Sequence, residues 1–385
     1  MLRGATGEWA VTRTGDELVR AFVPNPLPPA PPLAIDATLH ALLDSALVAL
    51  GRLDSVSTLL PDPALFLYAY VRKEAVLSSQ IEGTQSSLSD LLLFEIDEVP
   101  GVPLDDVVEV SSYVAALEHG IKRLRDGFPL ANRLLREIHG VLLAKGRGAD
   151  KQPGEFRHSQ NWIGGTRPGN AIYVPPPPDR LEACTADLER FLHDEPVRMP
   201  VLLKAAVAHA QFETIHPFLD GNGRVGRLLI TLLLHHDGVL SEPLLYVSLY
   251  LKKHRAKYYD LLQRVRTDGD WEAWVRFFTE GVRETATDAV TTARRLVAAF
   301  EADRARIKSL RGVAGSALQV HDVLMQSPVA SAKHLAATTK LSIPTVNSAV
   351  AALQRLGVVR ETTGRKRNRV FAYSEYLRLL TEEGK

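Results

Sequence analysis

Chemistry concentrates in one segment of the 385-residue chain, His216 to Arg227, which reads HPFLDGNGRVGR. Pro217 lacks an N–H and its ring clashes inside a helix, so Pro217 and Phe218 end whatever helix precedes them. Gly221 and Gly223 let a backbone approach a ligand closely. A helix restarts within the segment, because LLITLLLHHDG runs uninterrupted to a glycine stop. The first turn of a helix presents open N–H groups and a partial positive charge, which suits phosphate. Arg224 and Arg227 are three residues apart and share a face near that end. Asp220 offers oxygen to a magnesium ion. His216 carries an imidazole whose ordinary pKa suits a general base near neutrality. An anion nest, two guanidinium groups, a metal carboxylate and a base within twelve residues fit phosphoryl or nucleotidyl transfer.

GNGRVG also matches G-x-G-x-x-G, the dinucleotide fingerprint, which requires a strand before it and a βαβ unit around it. The preceding VLLKAAVAHAQFE is Ala-rich and helical, and no second strand precedes Glu242, near the expected acidic position. The dehydrogenase reading is set aside on that context.

A second feature is SSQIEG, Ser78 to Gly83. Ser78 and Glu82 are i and i+4, on one face of a helix that Gly83 stops. A glutamate at a helix C-terminus opposes the helix dipole and is served by a cation nearby. By itself the segment also fits an ordinary exposed glutamate.

HPFLDGNGRVGR resembles the Fic-domain motif, HxFx(D/E)GN(G/K)RxxR, at every defined position. PGEFRHSQNWIGG, a following hairpin and VPPPP are similar to that family's flap region, and HRAKYYDLLQRVRTDGDWEAW to the helix after its motif. The resemblance covers roughly Leu104–Arg283. It implies transfer of AMP from ATP to a Tyr, Ser or Thr hydroxyl of a target protein. His216 would deprotonate the hydroxyl, and Asp220 would bind Mg²⁺. Asn222 and the backbone of Gly221, Gly223 and Arg224, continuing into Val225 and Gly226, would hold phosphate. Arg224 and Arg227 would neutralise the side from which pyrophosphate leaves. Lys253 and Tyr259 would lie at the ribose or adenine end. SSQIEG is similar to the family's inhibitory motif, (S/T)xxxE(G/N), in the class whose inhibitory helix precedes the core. That implies Ser78, Glu82 and Gly83 form a brake, with Glu82 paired to Arg227 in the γ-phosphate position. The flap would dock the target by β-augmentation, with Ile172 and Val174 on one side of its strand. Other family members use other nucleotides or remove AMP, and many are homodimers.

The expected fold is mostly α, a Fic-type helical core with a β-hairpin flap, followed by a C-terminal winged helix. The expected divisions are 1–103, an N-terminal arm and helical region; 104–290, the catalytic core; 291–312, a connecting helix or linker; and 313–385, the winged helix. The first 35 residues read as loop, with six prolines between Pro24 and Pro32 making an extended arm. Periodicity predicts helices over Asp36–Leu53, from Asp62 to Gly83, and over Asp105–Arg125, Ala131–Lys145, Leu181–His193, Pro200–Glu213, Lys252–Val265 and Trp271–Leu296. Aromatic and β-branched residues around a Gly/Pro/Asn turn predict a hairpin near Thr166–Val174. Helices over Ser316–Gln326, Ser331–Thr338 and Ser342–Leu356, then two strands around a basic turn, give the winged-helix pattern.

Composition bounds the remaining alternatives. Hydrophobic residues make up 45% and charged residues 24%, which is ordinary for a folded chain. A single cysteine, Cys184, excludes an internal disulfide and a Cys-rich zinc site, and reads as a small buried hydrophobe. His209, His235 and His236 read as structural or solvent-facing. The N-terminal twenty residues lack an apolar core and no stretch is long enough to span a bilayer, so the expected location is cytoplasmic, away from membranes. Net charge is +1, but from Val313 onward 10 Lys+Arg face 5 Asp+Glu, leaving 36 against 40 in the rest. The basic tail, with Arg365, Lys366, Arg367 and Arg369 in the wing, allows contact with DNA or with protein. A DNA-binding regulator with the Fic domain as nucleotide sensor is the alternative function.

Overall fold

A computed structural model describes residues 2–59, 64–96, 102–364 and 369–382. Strands β1 (Gly7–Thr14) and β2 (Glu17–Pro24) form an antiparallel hairpin, with Thr14 opposite Glu17 and Gly7 opposite Pro24. The loop reading of the first 35 residues is therefore corrected. GEWAVTRT and ELVRAFVP alternate with period two, which buries Val19 and Ala21 on one face and leaves Trp9, Val11 and Leu18 exposed on the other. The arm is fastened to the body. Arg3 donates to both oxygens of Glu272, at 2.7 and 2.6 Å.

Among the described residues, eleven α-helices follow: α1 (Ala37–Leu59), α2 (Ala64–Ile81), α3 (Leu88–Glu95), α4 (Leu104–Arg125), α5 (Asn132–Leu142), α6 (Pro178–Leu192), α7 (Val201–Ile215), α8 (Asn222–His236), α9 (Ser248–Lys253), α10 (Arg255–Asp268) and α11 (Trp271–Lys308). Asp62, the expected start of α2, lies outside the described residues. Helix α3 starts at a capping box, in which Ser87 and Asp90 satisfy each other's backbone N–H groups. Helix α1 packs along α11, and α7 against α8 at the centre.

Every residue of α7 from Leu202 to Ile215 is buried, which its small side chains allow by letting neighbours approach. Trp274 Nε1 donates to Ala206 O at 2.8 Å. His209 is one of the helix's buried polar residues, with Lys204, Gln211, Glu213 and Thr214. Its Nδ1 donates to Gly226 O at 2.8 Å, and its Nε2 accepts from the Tyr258 hydroxyl at 2.9 Å. Burial pushes its pKa down to about 4. Its folded pKa is depressed, so its stabilisation is present above the unfolded pKa of about 6.5 and is lost as pH falls. Acidification from pH 7 to 5 should cost about 2 kcal/mol through this residue. Glu74 and Glu213, raised by burial to about 7, act in the opposite sense, losing stabilisation as pH rises toward 7. Thermal melting of wild type against His209→Gln across this range isolates the histidine: the variant should show the smaller acid loss.

Helix α11 passes the expected end at Leu296 because Leu296, Phe300, Asp303 and Ile307 continue one buried stripe at helical spacing. Beyond it come α12 (Ala314–Gln326), β3 (Val329–Ser331), α13 (Ala332–Thr339), α14 (Ile343–Arg355), β4 (Val359–Glu361), β5 (Val370–Tyr373) and α15 (Ser374–Thr381). The three helices and the β4–β5 pair follow the order expected from the sequence. Strand β3, which completes a sheet of order β3–β5–β4, and helix α15 add to it. This module is locked to α11: the Tyr373 hydroxyl donates to Asp303 Oδ2 at 2.8 Å. Of the wing cations, Arg365, Lys366 and Arg367 lie outside the described residues, and Arg369 donates to Asn347 at 3.2 Å.

Candidate active site

The loop between α7 and α8 carries the motif, and several distant groups fix its shape. His216 closes α7 in the left-handed region, φ +50° and ψ +60°. That turn strands the last carbonyls of α7, and buried side chains satisfy them. The Tyr173 hydroxyl donates to Thr214 O at 2.6 Å, Arg266 Nη2 to Glu213 O at 3.2 Å, and Arg157 Nε to His216 O at 3.0 Å. Arg157 Nη2 also reaches Pro176 O at 2.5 Å, tying the loop to the proline run. His139 stacks on Phe218, with ring centroids 3.8 Å apart. Its Nε2 donates to Asp220 O at 3.1 Å while Nδ1 accepts from Gly154 N–H at 2.9 Å, which fixes the neutral tautomer.

Asn222 departs from its expected role. Its Oδ1 accepts from Phe218 N–H and its Nδ2 donates to Phe218 O, both at 2.8 Å, and the residue is buried. The side chain shapes the loop, so the backbone N–H is what it offers an anion. Gly221, at φ +76°, caps α8 without a side-chain hydrogen bond, leaving the first N–H groups of the helix open. Val225 is fully buried in the core, and Gly226 lies against Glu213, so neither lines the cavity.

The open end of α8 faces a cavity of about 180 Å³ lined by His216, Asp220, Gly221, Asn222, Gly223, Arg224, Glu82, Arg147 and Leu219. Glu82, one of the lining residues, also meets Arg227, 145 residues away in sequence, and Ser78 holds the same arginine. Arg227 is buried; its Nε donates to Ser78 Oγ at 2.7 Å, and its Nη2 to Ser78 O at 3.1 Å and Glu82 Oε1 at 2.7 Å. The carboxylate thus contributes one oxygen to the pair, and Ser78 takes Nε and shares Nη2 with it. A Cβ on Gly223 would collide with Glu82 Oε1, so the carboxylate lies on the backbone at the start of α8. Burial alone would raise the Glu82 pKa; the charge and hydrogen bond of Arg227, with Arg224 and His216, outweigh it and hold the carboxyl below its ordinary value. Gly83 follows in a left-handed turn, φ +103°.

Arg224 is buried beside Glu109 of α4, with Nη1 2.9 Å from Oε1, and Arg147 Nη2 donates to the other oxygen of Glu109 at 2.7 Å. Asp220 is partly exposed. Its Oδ1 accepts from Gly221 N–H at 2.6 Å and lies 3.8 Å from Arg224. Among the described residues no group of three His, Cys, Asp or Glu side chains gathers to hold a metal. One accessible carboxylate still fits Mg²⁺, which keeps waters and takes its remaining oxygens from substrate phosphates. His216 Nδ1 lies 4.0 Å from Glu213 Oε2. Burial, then the charges of Arg157 and Arg266, push the His216 pKa down to about 3, so the imidazole is neutral.

The outer residues divide. Tyr259 sits half-exposed on α10, and its pKa is raised by burial and by the charge of Glu82, which places it near that carboxylate. Lys253 is exposed at the end of α9 and does not line the cavity. In the flap, pairing is limited to a bridge between Ile163 and Tyr173, followed across the turn by a short 3₁₀ segment, Pro168–Asn170. Ile172 is 75% exposed and Val174 is 6% exposed. They do not share a face, because Val174 packs on Val19 and Ala21 and its carbonyl accepts from Phe22 N–H at 2.9 Å. Strand β2 already occupies that position of the flap.

Glu109, Arg147, Arg157, His139 and Glu213 went unassigned in the sequence. Only Glu109 leaves a trace there, as a charge within the buried Val107–Val110–Tyr113 face of α4.

Residues 40–122 match the family model described as Fic/DOC family N-terminal, and residues 129–234 match the Fic/DOC family. The matched region reaches further toward the N-terminus than the resemblance read from the sequence and stops earlier. A curated relative, the protein adenylyltransferase Fic of Culex quinquefasciatus, is 34% identical over 210 residues, covering 53% of this chain and 39% of that protein. The protein of the same name from Drosophila melanogaster is 30% identical over 188 residues, 49% of this chain and 35% of that one. The chain thus spans well under half the length of these curated relatives. Two solved structures share the fold. A Fic family protein from Desulfovibrio desulfuricans has a TM-score of 0.58 at 20% identity, covering 92% of this chain and 99% of that one. A Fic domain containing signaling protein from Bacteroides thetaiotaomicron has a TM-score of 0.52 at 20% identity, with 65% and 95% covered. With both family segments matched and the motif seated between α7 and α8, the chain belongs to the Fic/DOC family.

Proposed function

We propose that the protein is an adenylyltransferase that transfers AMP from ATP to a hydroxyl of a target protein and is restrained by Glu82. The observation that carries this reading is the carboxylate of Glu82 lying on Arg227 and on the N-terminal turn of α8, where a nucleotide phosphate would bind. In the proposed reaction, neutral His216 takes the proton of the target hydroxyl. The hydroxyl oxygen forms a bond to the α-phosphorus, the bond from that phosphorus to the bridging oxygen breaks, and pyrophosphate leaves. Arg224, Arg227 and the open N–H groups of α8 hold the charge that develops. Magnesium on Asp220 supplies further neutralisation of the phosphates when bound. Asp220→Asn should therefore need about tenfold more Mg²⁺ for half-maximal transfer, by analogy with weakened metal sites. A magnesium titration checks this.

Incubation of wild type and Glu82→Gly with each nucleoside triphosphate and Mg²⁺, followed by mass measurement of the protein and candidate targets, tests the reading. A gain other than that of AMP would change the nucleotide, and no gain with any of them would end the transferase reading. The regulator reading has the net basic charge after Val313 in its favour, but Arg355 is the one cation on the exposed face of α14 beside Ser348 and Ala351. Absence of a duplex DNA shift at low salt would remove it.

A further inference from the structure

The geometry points to Arg147 as a third guanidinium of the phosphate site, one that contacts the β/γ end of a nucleoside triphosphate and makes the site favour ATP over AMP. The inference rests on the adenylyltransferase reading and adds a residue outside HPFLDGNGRVGR. Arg147 lines the same cavity as Glu82, Asp220, Gly223 and Arg224. Its side chain is 53% exposed, and one of its five N–H donors is committed to Glu109 at 2.7 Å. The loop that carries it runs beside the metal-candidate carboxylate, since a Cβ on Gly148 would come within 2.9 Å of Asp220 Oδ2.

Charge counting gives the specificity. Glu109 is buried and faces both Arg147 and Arg224, so a single carboxylate serves two guanidinium groups. Nε and Nη1 of buried Arg224 have no hydrogen-bond partner among the described residues, so its approach to Glu109 is an electrostatic contact with donors to spare. Once Glu82 is displaced and Asp220 serves the metal, Glu109 is the carboxylate left in contact with Arg147 and Arg224, while buried Glu74 and Glu213 act on Arg227 through charge alone and are partly neutralised by burial, which raises both to about 7. That surplus of positive charge suits the polyanionic end of a triphosphate and is wasted on a monophosphate. The competing view is that Arg147 only neutralises Glu109. A neutralising residue would affect every nucleotide alike.

Calorimetric binding of ATP and AMP, each with Mg²⁺, to Glu82→Gly and to Glu82→Gly/Arg147→Ala separates the two. Loss of one charge-assisted contact should weaken ATP by about tenfold, leave AMP unchanged, and raise the KM for ATP with little effect on kcat. Arg147→Gln, which can still donate to Glu109, should behave like the alanine variant if the latter folds poorly. Arg147→Lys should recover part of the affinity as a point charge. Unchanged ATP affinity, or equal weakening of ATP and AMP, overturns the assignment. ATP binding by Glu82→Gly without AMP transfer would sink the proposed function but leave Arg147 standing, and failure of that parent to bind ATP would sink both.

Discussion

Glu82→Gly should incorporate AMP on the order of tenfold to a hundredfold faster than wild type at limiting ATP, the range set by a charge-assisted hydrogen bond of about 1.5–3 kcal/mol. In the proposed reading, Glu82 and the substrate phosphates compete for the same donors. Glu82 takes Nη2 of Arg227 at 2.7 Å and lies on Gly223, so phosphate must displace it before the helix terminus is free. A site whose competent state is rarely populated binds its ligand more weakly by that fraction, and deletion of the carboxylate removes the penalty. The arginine itself should stay in place, because Ser78 holds its Nε through Oγ and its Nη2 through the backbone carbonyl. Ser78→Ala is therefore the discriminating control: it loosens Arg227 without freeing the site, and should lower transfer in the Glu82→Gly background. The activated variant leaves Arg227 buried without its counter-charge, so it should melt earlier than wild type and regain more stability on ATP addition. Labelling no faster than wild type would remove the brake from the account.

What could be read from the sequence depended on how far apart the cooperating residues lie. His216, Asp220, the glycines and both arginines are neighbours in one loop-to-helix segment, so residue type and spacing carry their chemistry directly. Glu82 and Arg227 meet across two helices, and the sequence alone offered only a glutamate misplaced against a helix dipole; the resemblance supplied the partner. Nothing local marks Arg157 or His139, which satisfy the carbonyls of His216 and Asp220 in the loop from positions 59 and 81 residues away. The same limit explains the errors. The prolines after Pro24 obscured a plain period-two hairpin before it, and β2 in turn covers Val174, which the flap reading had assigned to the target. Gly164, Gly165 and Pro168 limit the flap to its single bridge, although the surrounding aromatic and β-branched residues suggested strands. Asn222 shows how a side chain expected at a ligand can instead be spent on the loop's own backbone, at Phe218.

In the Glu82→Gly background, His216→Ala should lower kcat by about 10²–10⁴, the usual contribution of a positioned general base, while nucleotide affinity changes little. The separation of kcat from binding follows from the loop's construction. Arg157 holds the carbonyl of residue 216 and Arg266 holds that of Glu213, so the backbone of the motif does not depend on the imidazole. Loss confined to kcat identifies an interaction made in the transition state, whereas a collapsed loop would weaken ATP as well. The pH profile gives an independent sign. Burial and two nearby arginines hold His216 at about 3, so it is already in the proton-accepting form throughout the neutral range. Protonation of this residue should then set no acid limb in kcat/KM for the free enzyme between pH 8 and 5, unlike an exposed histidine of pKa about 6.5. A base so reluctant to charge needs help as the proton arrives, and the Glu213 carboxyl, 4.0 Å from Nδ1, is placed to stabilise the imidazolium. Burial raises that carboxyl to about 7, so its ionised fraction grows as pH rises through neutrality. Transfer should accordingly increase from pH 6 to 8, and Glu213→Gln should flatten the rise while leaving ATP affinity in place. Equal labelling by His216→Ala would require a different base, and an acid limb near 6.5 that vanishes with the histidine would overturn its depressed pKa.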